Sequence, residues 1–133
     1  MTPTQSGVSI RKLSPVLIVE AVEPCLAFWT ERLGFAVTAQ VPHEDRLGFA
    51  ILEKDGIEVM YQSRASAAAD VPALADGAPG TALFLEVSDV EAVERALVGA
   101  EIVVPRRQTF YGMDEIGARE PGGTIVMFAQ PVA

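Results

Sequence analysis

A single cysteine, a single histidine and a single tryptophan stand in a chain of 133 residues. One cysteine cannot close an intramolecular disulfide, and no paired-cysteine metal motif is present. Cys25 lies among Pro24, Leu26 and Ala27, so it reads as a small buried hydrophobe rather than a nucleophile. Basic residues are also few, ten against eighteen acidic, which leaves a formal charge of −8 and a pI of about 4.5. That balance repels a phosphate backbone and an anionic membrane surface, so neither nucleic acid nor membrane is expected as a partner. The first dozen residues, MTPTQSGVSIRK, are polar and lack the apolar run of a signal peptide or anchor, so the cytoplasm is the expected location. No G-x-S-x-G elbow, no G-x-x-x-x-G-K-[ST] loop and no G-x-G-x-x-G after a strand occurs, which removes nucleophile-elbow and nucleotide-binding chemistry.

Half of the residues are apolar and 21% are charged, the make-up of one globular domain with an ordinary core. The elements come in a repeating order. Residues 13–20 (LSPVLIVE) are a short β-branched run, followed by a helix that Glu23-Pro24 opens and Gly34 stops after Leu33. Three strands are predicted next, over 35–41, 47–52 and 57–62, with a turn at 42–45 and a hairpin at Asp55-Gly56. Residues 64–80 shift to Ala, Asp, Pro and Gly and form a connector with room for a short helical turn. The order then repeats. A strand over 81–87 leads to a helix over 90–98 with Asp89 as its N-cap, and strands follow over 101–104, 113–119 and 124–130. Laying the second half on the first places Val87 on Val19, Val90 on Val22 and Glu91 on Glu23. The expected fold is α+β: one domain over 1–133, built of two tandem βαβββ modules, about 13–63 and 81–130, whose curved mixed sheets enclose a cleft.

The segment from Val19 to Phe35, VEAVEPCLAFWTERLGF, resembles the opening VxDxxxxxxFYxxxLGF motif of the vicinal oxygen chelate superfamily. REPGGT, from Arg119 to Thr124, is similar to that family's closing RDPDG turn. The family includes glyoxalase I, extradiol dioxygenases, fosfomycin-modifying enzymes and bleomycin-resistance proteins. The resemblance implies a divalent metal in the cleft, held by His, Gln or Glu from the first and last strand of each module. The matching positions here are Ser14, Glu58, Ala82 and Met127. Only Glu58 is a carboxylate, and a neutral hydroxyl, a methyl and a thioether are poor ligands for most divalent ions. The only histidine, His43, falls in a predicted turn. The resemblance therefore implies a metal-independent, bleomycin-resistance-like protein that binds a small molecule and forms a homodimer, with no cofactor expected.

Strand periodicity puts Glu58, Met60 and Gln62 on one face, opposite Ile57, Val59 and Tyr61. Glu58 is the candidate functional carboxylate, because a carboxylate inside a cleft must meet a cation or take up a proton. Phe49 and Met127 are further candidates for the cleft wall. Arg46 and Arg119 are candidates for pairing with Glu58 or for holding a ligand anion. Glu115, Gly117 and Arg119 share a face of the seventh strand, and Tyr111 in the preceding loop is a candidate stacking wall. Trp29 follows helical spacing with Leu26 and Leu33 and is expected in the core. The acidic balance attracts a cationic or antibiotic-like ligand and also serves solubility. The rival expectation is an enzyme: a metal-dependent lyase, isomerase or dioxygenase using Glu58, with help from Gln62, Gln130 or a partner subunit. Its metal-free form has Glu58 as base and Arg119 or Tyr111 stabilising an enolate.

Overall fold

The computed structural model describes residue 7 and residues 12–76 and 81–132. Eight strands form two four-stranded mixed sheets, neither closed. In the first module β1 (Val16–Val19) is followed by helix α1 (Glu23–Ala27), then β2 (Ala36–His43), β3 (Arg46–Lys54) and β4 (Ile57–Ser63). The second repeats this as β5 (Leu83–Glu86), α4 (Val90–Ala96), β6 (Glu101–Gln108), β7 (Met113–Arg119) and β8 (Ile125–Pro131). The spatial orders are β1-β4-β3-β2 and β5-β8-β7-β6. In each sheet the first strand crosses over to lie parallel to the last, Val16 opposite Met60 in one and Leu83 opposite Val126 in the other. The paired βαβββ plan read from the sequence is therefore the fold.

Several details differ. The helix after Val22 changes pitch, with Phe28–Arg32 forming a π-helical turn. Phe28 and Trp29, adjacent at the start of this turn, are both buried in the core. The connector is more ordered than its composition indicates. Ser63 caps α2 (Arg64–Asp70) by accepting from the Ser66 amide, and Pro72 opens the short α3 (Pro72–Ala75). Its last residues, 77–80, lie outside the described set. Pro42 and His43 belong to β2, and the turn contracts to Glu44-Asp45 with Glu44 at φ 57°. Strand β6 runs on to Gln108 through two irregularities in its pairing with β7, well past the apolar run that marks its start. Asp55 and Gly56 take φ of 53° and 78° at the β3–β4 hairpin, the left-handed pair for which Asp-Gly is suited.

One face of each sheet packs on a core shared by both modules. Leu17, Val19, Ala50, Leu52, Val59 and Tyr61 come from the first sheet, and Ile116, Ala118, Val126 and Phe128 from the second. Trp29 is fully buried between them, in edge-to-face contact with Phe28 and Phe35 at 5.6 and 5.0 Å. A buried polar chain bridges the modules. The Trp29 indole donates to the Tyr61 hydroxyl at 2.8 Å, and that hydroxyl donates to the Glu120 carboxylate at 2.7 Å. Glu120 also accepts from the Thr124 amide across the REPGGT turn. Arg32 reaches from the end of the first module's helix to the carbonyls of Ala96, the last residue of α4, and Val98 just beyond it. Cys25 is buried beside this seam, and burial pushes its thiol up to about 12.

Candidate functional site

The faces turned away from the core carry the residues singled out in the sequence. On the first sheet Val59 and Tyr61 fill the core, so Glu58, Met60 and Gln62 point to the open face. Register brings Phe49 opposite Gln62, Ile51 opposite Met60 and Glu53 opposite Glu58. Val16 and Ile18 join them from β1, opposite Met60 and Gln62. The result is a half-exposed apolar strip with carboxylates at one end. At the other end Gln62 is buried and donates to the Ser66 hydroxyl of α2 at 3.3 Å.

Glu58 is held from both sides. The Ser14 hydroxyl donates to Oε1 at 2.8 Å and the Lys12 ammonium donates to Oε2 at 2.8 Å. Its side chain is only 9% exposed, whereas that of Lys12 is 56% exposed. These hydrogen bonds, from Lys12 and then Ser14, hold the Glu58 carboxyl below its ordinary value, and the Glu58 contact raises the Lys12 ammonium above its own. Both groups are thus charged across the physiological range. Neither Arg46 nor Arg119 is the partner of Glu58. Arg46 lies 3.6 Å from Glu23, beside a hollow of about 110 Å³ that His43 also lines. Arg119 is tied to Glu101 at 3.0 Å and to the Gly123 carbonyl at 3.3 Å. It lines a groove of about 720 Å³ between α1 and the second module, with Phe28 and Arg32. The arginines lie far along the chain from Glu58, and no local spacing rule links any of the three.

On the second sheet Glu115, Gly117, Met127 and Ala129 share the open face, with Glu115 opposite Ala129 and Gly117 opposite Met127. A side chain at 117 would collide with Met127 and crowd Val104, so glycine here lets Met127 lie flat on the sheet. Glu115 is fully buried. Arg107 donates to it twice, at 3.0 and 2.8 Å, and the Tyr111 hydroxyl caps the carboxylate at 2.8 and 3.0 Å. Tyr111 belongs to a hairpin loop whose tip residue, Phe110, is fully exposed and packs edge-to-face on it. The structure therefore groups Glu58, Met60, Gln62 and Phe49 on one open face, and Tyr111, Glu115 and Met127 on the other. Arg46 and Arg119 stand apart from both. Lys12, Arg107 and Glu53 are additions. Lys12 precedes the first apolar run and carries no pattern, while Glu53 follows from pairing β3 with β4 about the Asp55-Gly56 turn.

Of the four positions that the superfamily resemblance assigns to metal ligands, Ser14 and Glu58 are brought together and bonded to each other. Ala82 and Met127 contribute a methyl and a thioether. The one carboxylate of the set already meets an ammonium. Among the described residues no group of three or more His, Cys, Asp or Glu side chains is placed to hold a metal ion. A divalent ion, which needs several anionic or imidazole donors, does not fit this set.

Two mixed βαβββ sheets around one core, each with an open face, define the class of glyoxalase-like proteins. The family model for the Glyoxalase/Bleomycin resistance protein/Dioxygenase superfamily matches residues 12–128, and the chain belongs to that superfamily. Solved structures agree on the fold. A glyoxalase/bleomycin resistance protein/dioxygenase from Nocardioides is 18% identical, with a TM-score of 0.71 over 94% of this chain and 86% of that one. A virulence protein from Salmonella typhimurium is 22% identical, with a TM-score of 0.70 over 94% and 99%. A lactoylglutathione lyase from Agrobacterium tumefaciens is 13% identical, with a TM-score of 0.72 over 90% and 92%. No curated protein matches the chain. No helix among the described residues is long and apolar enough to cross a membrane.

Proposed function

We propose that this chain binds a small molecule on the open sheet faces, without a metal, as a cytoplasmic homodimer of the bleomycin-resistance type. The observation that carries the reading is the state of Glu58: both oxygens are engaged, one by Ser14 and one by the Lys12 ammonium. The superfamily's metal would have to displace that ammonium and would gain one carboxylate and a hydroxyl. The strip of Val16, Ile18, Phe49, Ile51 and Met60 offers apolar area to a drug-sized or antibiotic-like body, and Glu58 and Gln62 offer polar groups at its ends. Val16 and, on the second sheet, Phe84 are 43% and 56% exposed, apolar surface that a second copy laid over the open faces would cover. A net charge of −8 draws cationic ligands toward the molecule at long range.

The enzymatic alternative finds less support. A carboxylate held below its ordinary value is a weak base at neutral pH. Tyr111 is spent on Glu115, Arg119 on Glu101, and the Gln130 side chain accepts the Val90 amide at the start of α4. The test is a thermal-shift screen of drug-like and metabolite-like compounds with and without chelator, with hits mapped by amide chemical shifts. The expected result is a hit whose shifts cluster at Phe49, Glu58, Met60 and Gln62 and survive the chelator. Hits that vanish with chelator, or that map only elsewhere, contradict the proposal.

A further inference from the structure

Glu58 presents an unusual combination: a carboxylate with its side chain nine-tenths buried, neutralised by an ammonium that is itself largely in solvent. Burying a carboxylate requires a cation or strong donors, and here the cation comes from outside the sheet. The chain is fastened from Pro15 onward, where the Pro15 carbonyl accepts the Met60 amide at 3.0 Å. Lys12 lies three residues earlier, and Leu13 beside it is 87% exposed. The ammonium is thus carried on a four-carbon stem from a residue outside the strands of the sheet.

We infer that Lys12 is a tethered stand-in for a ligand's ammonium or guanidinium group, and that a ligand carrying such a group binds the open face of the first sheet by displacing Lys12 from Glu58. The inference rests on the small-molecule reading above and assigns the chemical class its ligand must contain. Exchanging one cation for another keeps Glu58 neutralised, and Ser14 continues to hold the second oxygen throughout. A neutral or anionic ligand has no such exchange open to it, because removing Lys12 without replacement leaves a mostly buried charge unpaired. Glu53, in register across from Glu58, adds a second negative charge, so the two carboxylates outnumber the one ammonium among them. Val16, Ile51 and Met60 continue from Glu58 along the same face and receive the apolar body attached to the cation. Lys12 is then an intramolecular competitor whose occupancy lowers apparent affinity by the fraction of time the site is free.

The experiment titrates n-butylammonium, n-butanol and butyrate into ¹⁵N-labelled wild type, Lys12→Met, Lys12→Gln and the double variant Lys12→Met/Glu58→Gln, following the amides of Ser14, Glu58 and Met60. If Lys12 occupies the site about nine-tenths of the time, its removal tightens n-butylammonium about tenfold. Lys12→Gln, which keeps an N–H donor without the charge, is expected to behave as Lys12→Met. The double variant is expected to lose saturable binding, and butanol and butyrate to give none in any protein. Equal affinity in wild type and both single variants, absence of saturation in them, or preference for butyrate overturns the inference. Should screened ligands still map to the open face with affinities indifferent to Lys12 and to ligand charge, this inference alone fails. Should no ligand map there, the small-molecule reading fails with it.

Discussion

At the scale of single residues, the side chains with the strongest constraints are those that join the two modules. The Tyr61 hydroxyl both accepts from Trp29 and donates to Glu120 in a fully packed setting. Tyr61→Phe leaves a buried indole N–H and a buried carboxylate short of a partner, and each such loss costs on the order of 1–3 kcal/mol. Chemical denaturation is expected to show a loss of about 3 kcal/mol. Cys25, with its thiol pushed up to about 12, stays protonated at ordinary pH. A thiol reagent at pH 8 is expected to leave it unlabelled in the folded protein and to label it once urea unfolds the chain; rapid labelling of the native state contradicts the packing described. Glu58 sits below 4.5 in the fold and Lys12 above 10.5. The Glu58 contribution is therefore present above its unfolded value and lost as pH falls through the lowered folded one. That of Lys12 is present below 10.5 and lost as pH rises through the raised value. An NMR titration of the Glu58 side chain is expected to move upward in Lys12→Met; an unchanged titration contradicts the ion pair.

Elements were legible in the sequence to the degree that local chemistry decides them. Asp55-Gly56 and Gly34 mark a hairpin and a helix end by their left-handed backbone, Asp89 marks an N-cap by the side-chain oxygen that accepts the Glu91 and Ala92 amides, and each stands where its type requires. Strand β4 could be divided into its two faces because a period of two leaves only that choice. The π-helical turn at Phe28–Arg32 was not legible, since a local change of helical pitch leaves no mark in the pattern of apolar residues. The partners of Glu58 and Arg119 were hidden because ion pairs across 46 or 18 positions follow from tertiary packing. The REPGGT turn shows how a short motif acts at this scale. A Cβ at Gly122 would come within 2.7 Å of Val19 Cγ1, 2.9 Å of Cys25 Sγ and 2.9 Å of Glu120 Oε2. Two of these neighbours belong to the first module, so the turn presses one module onto the other. Gly122→Ala is expected to destabilise by about 1–3 kcal/mol, the range for forced overpacking. A neutral effect in thermal or chemical unfolding contradicts that close approach.

At the scale of the whole molecule, one fused core leaves two sheet faces open, and the residues at the superfamily's ligand positions on those faces do not fit a divalent ion. Ser14, Glu58, Ala82 and Met127 occupy the superfamily's ligand positions, and Lys12 brings the positive charge to the only carboxylate among them. The central claim is that this protein works without a divalent ion. It is tested most directly by elemental analysis of tag-free protein after incubation with nickel, manganese, iron(II) and zinc and removal of free ions by gel filtration. The account predicts no metal above background for each of the four. Retention of close to one ion per chain, lost in Glu58→Gln, would contradict it and restore the enzymatic reading.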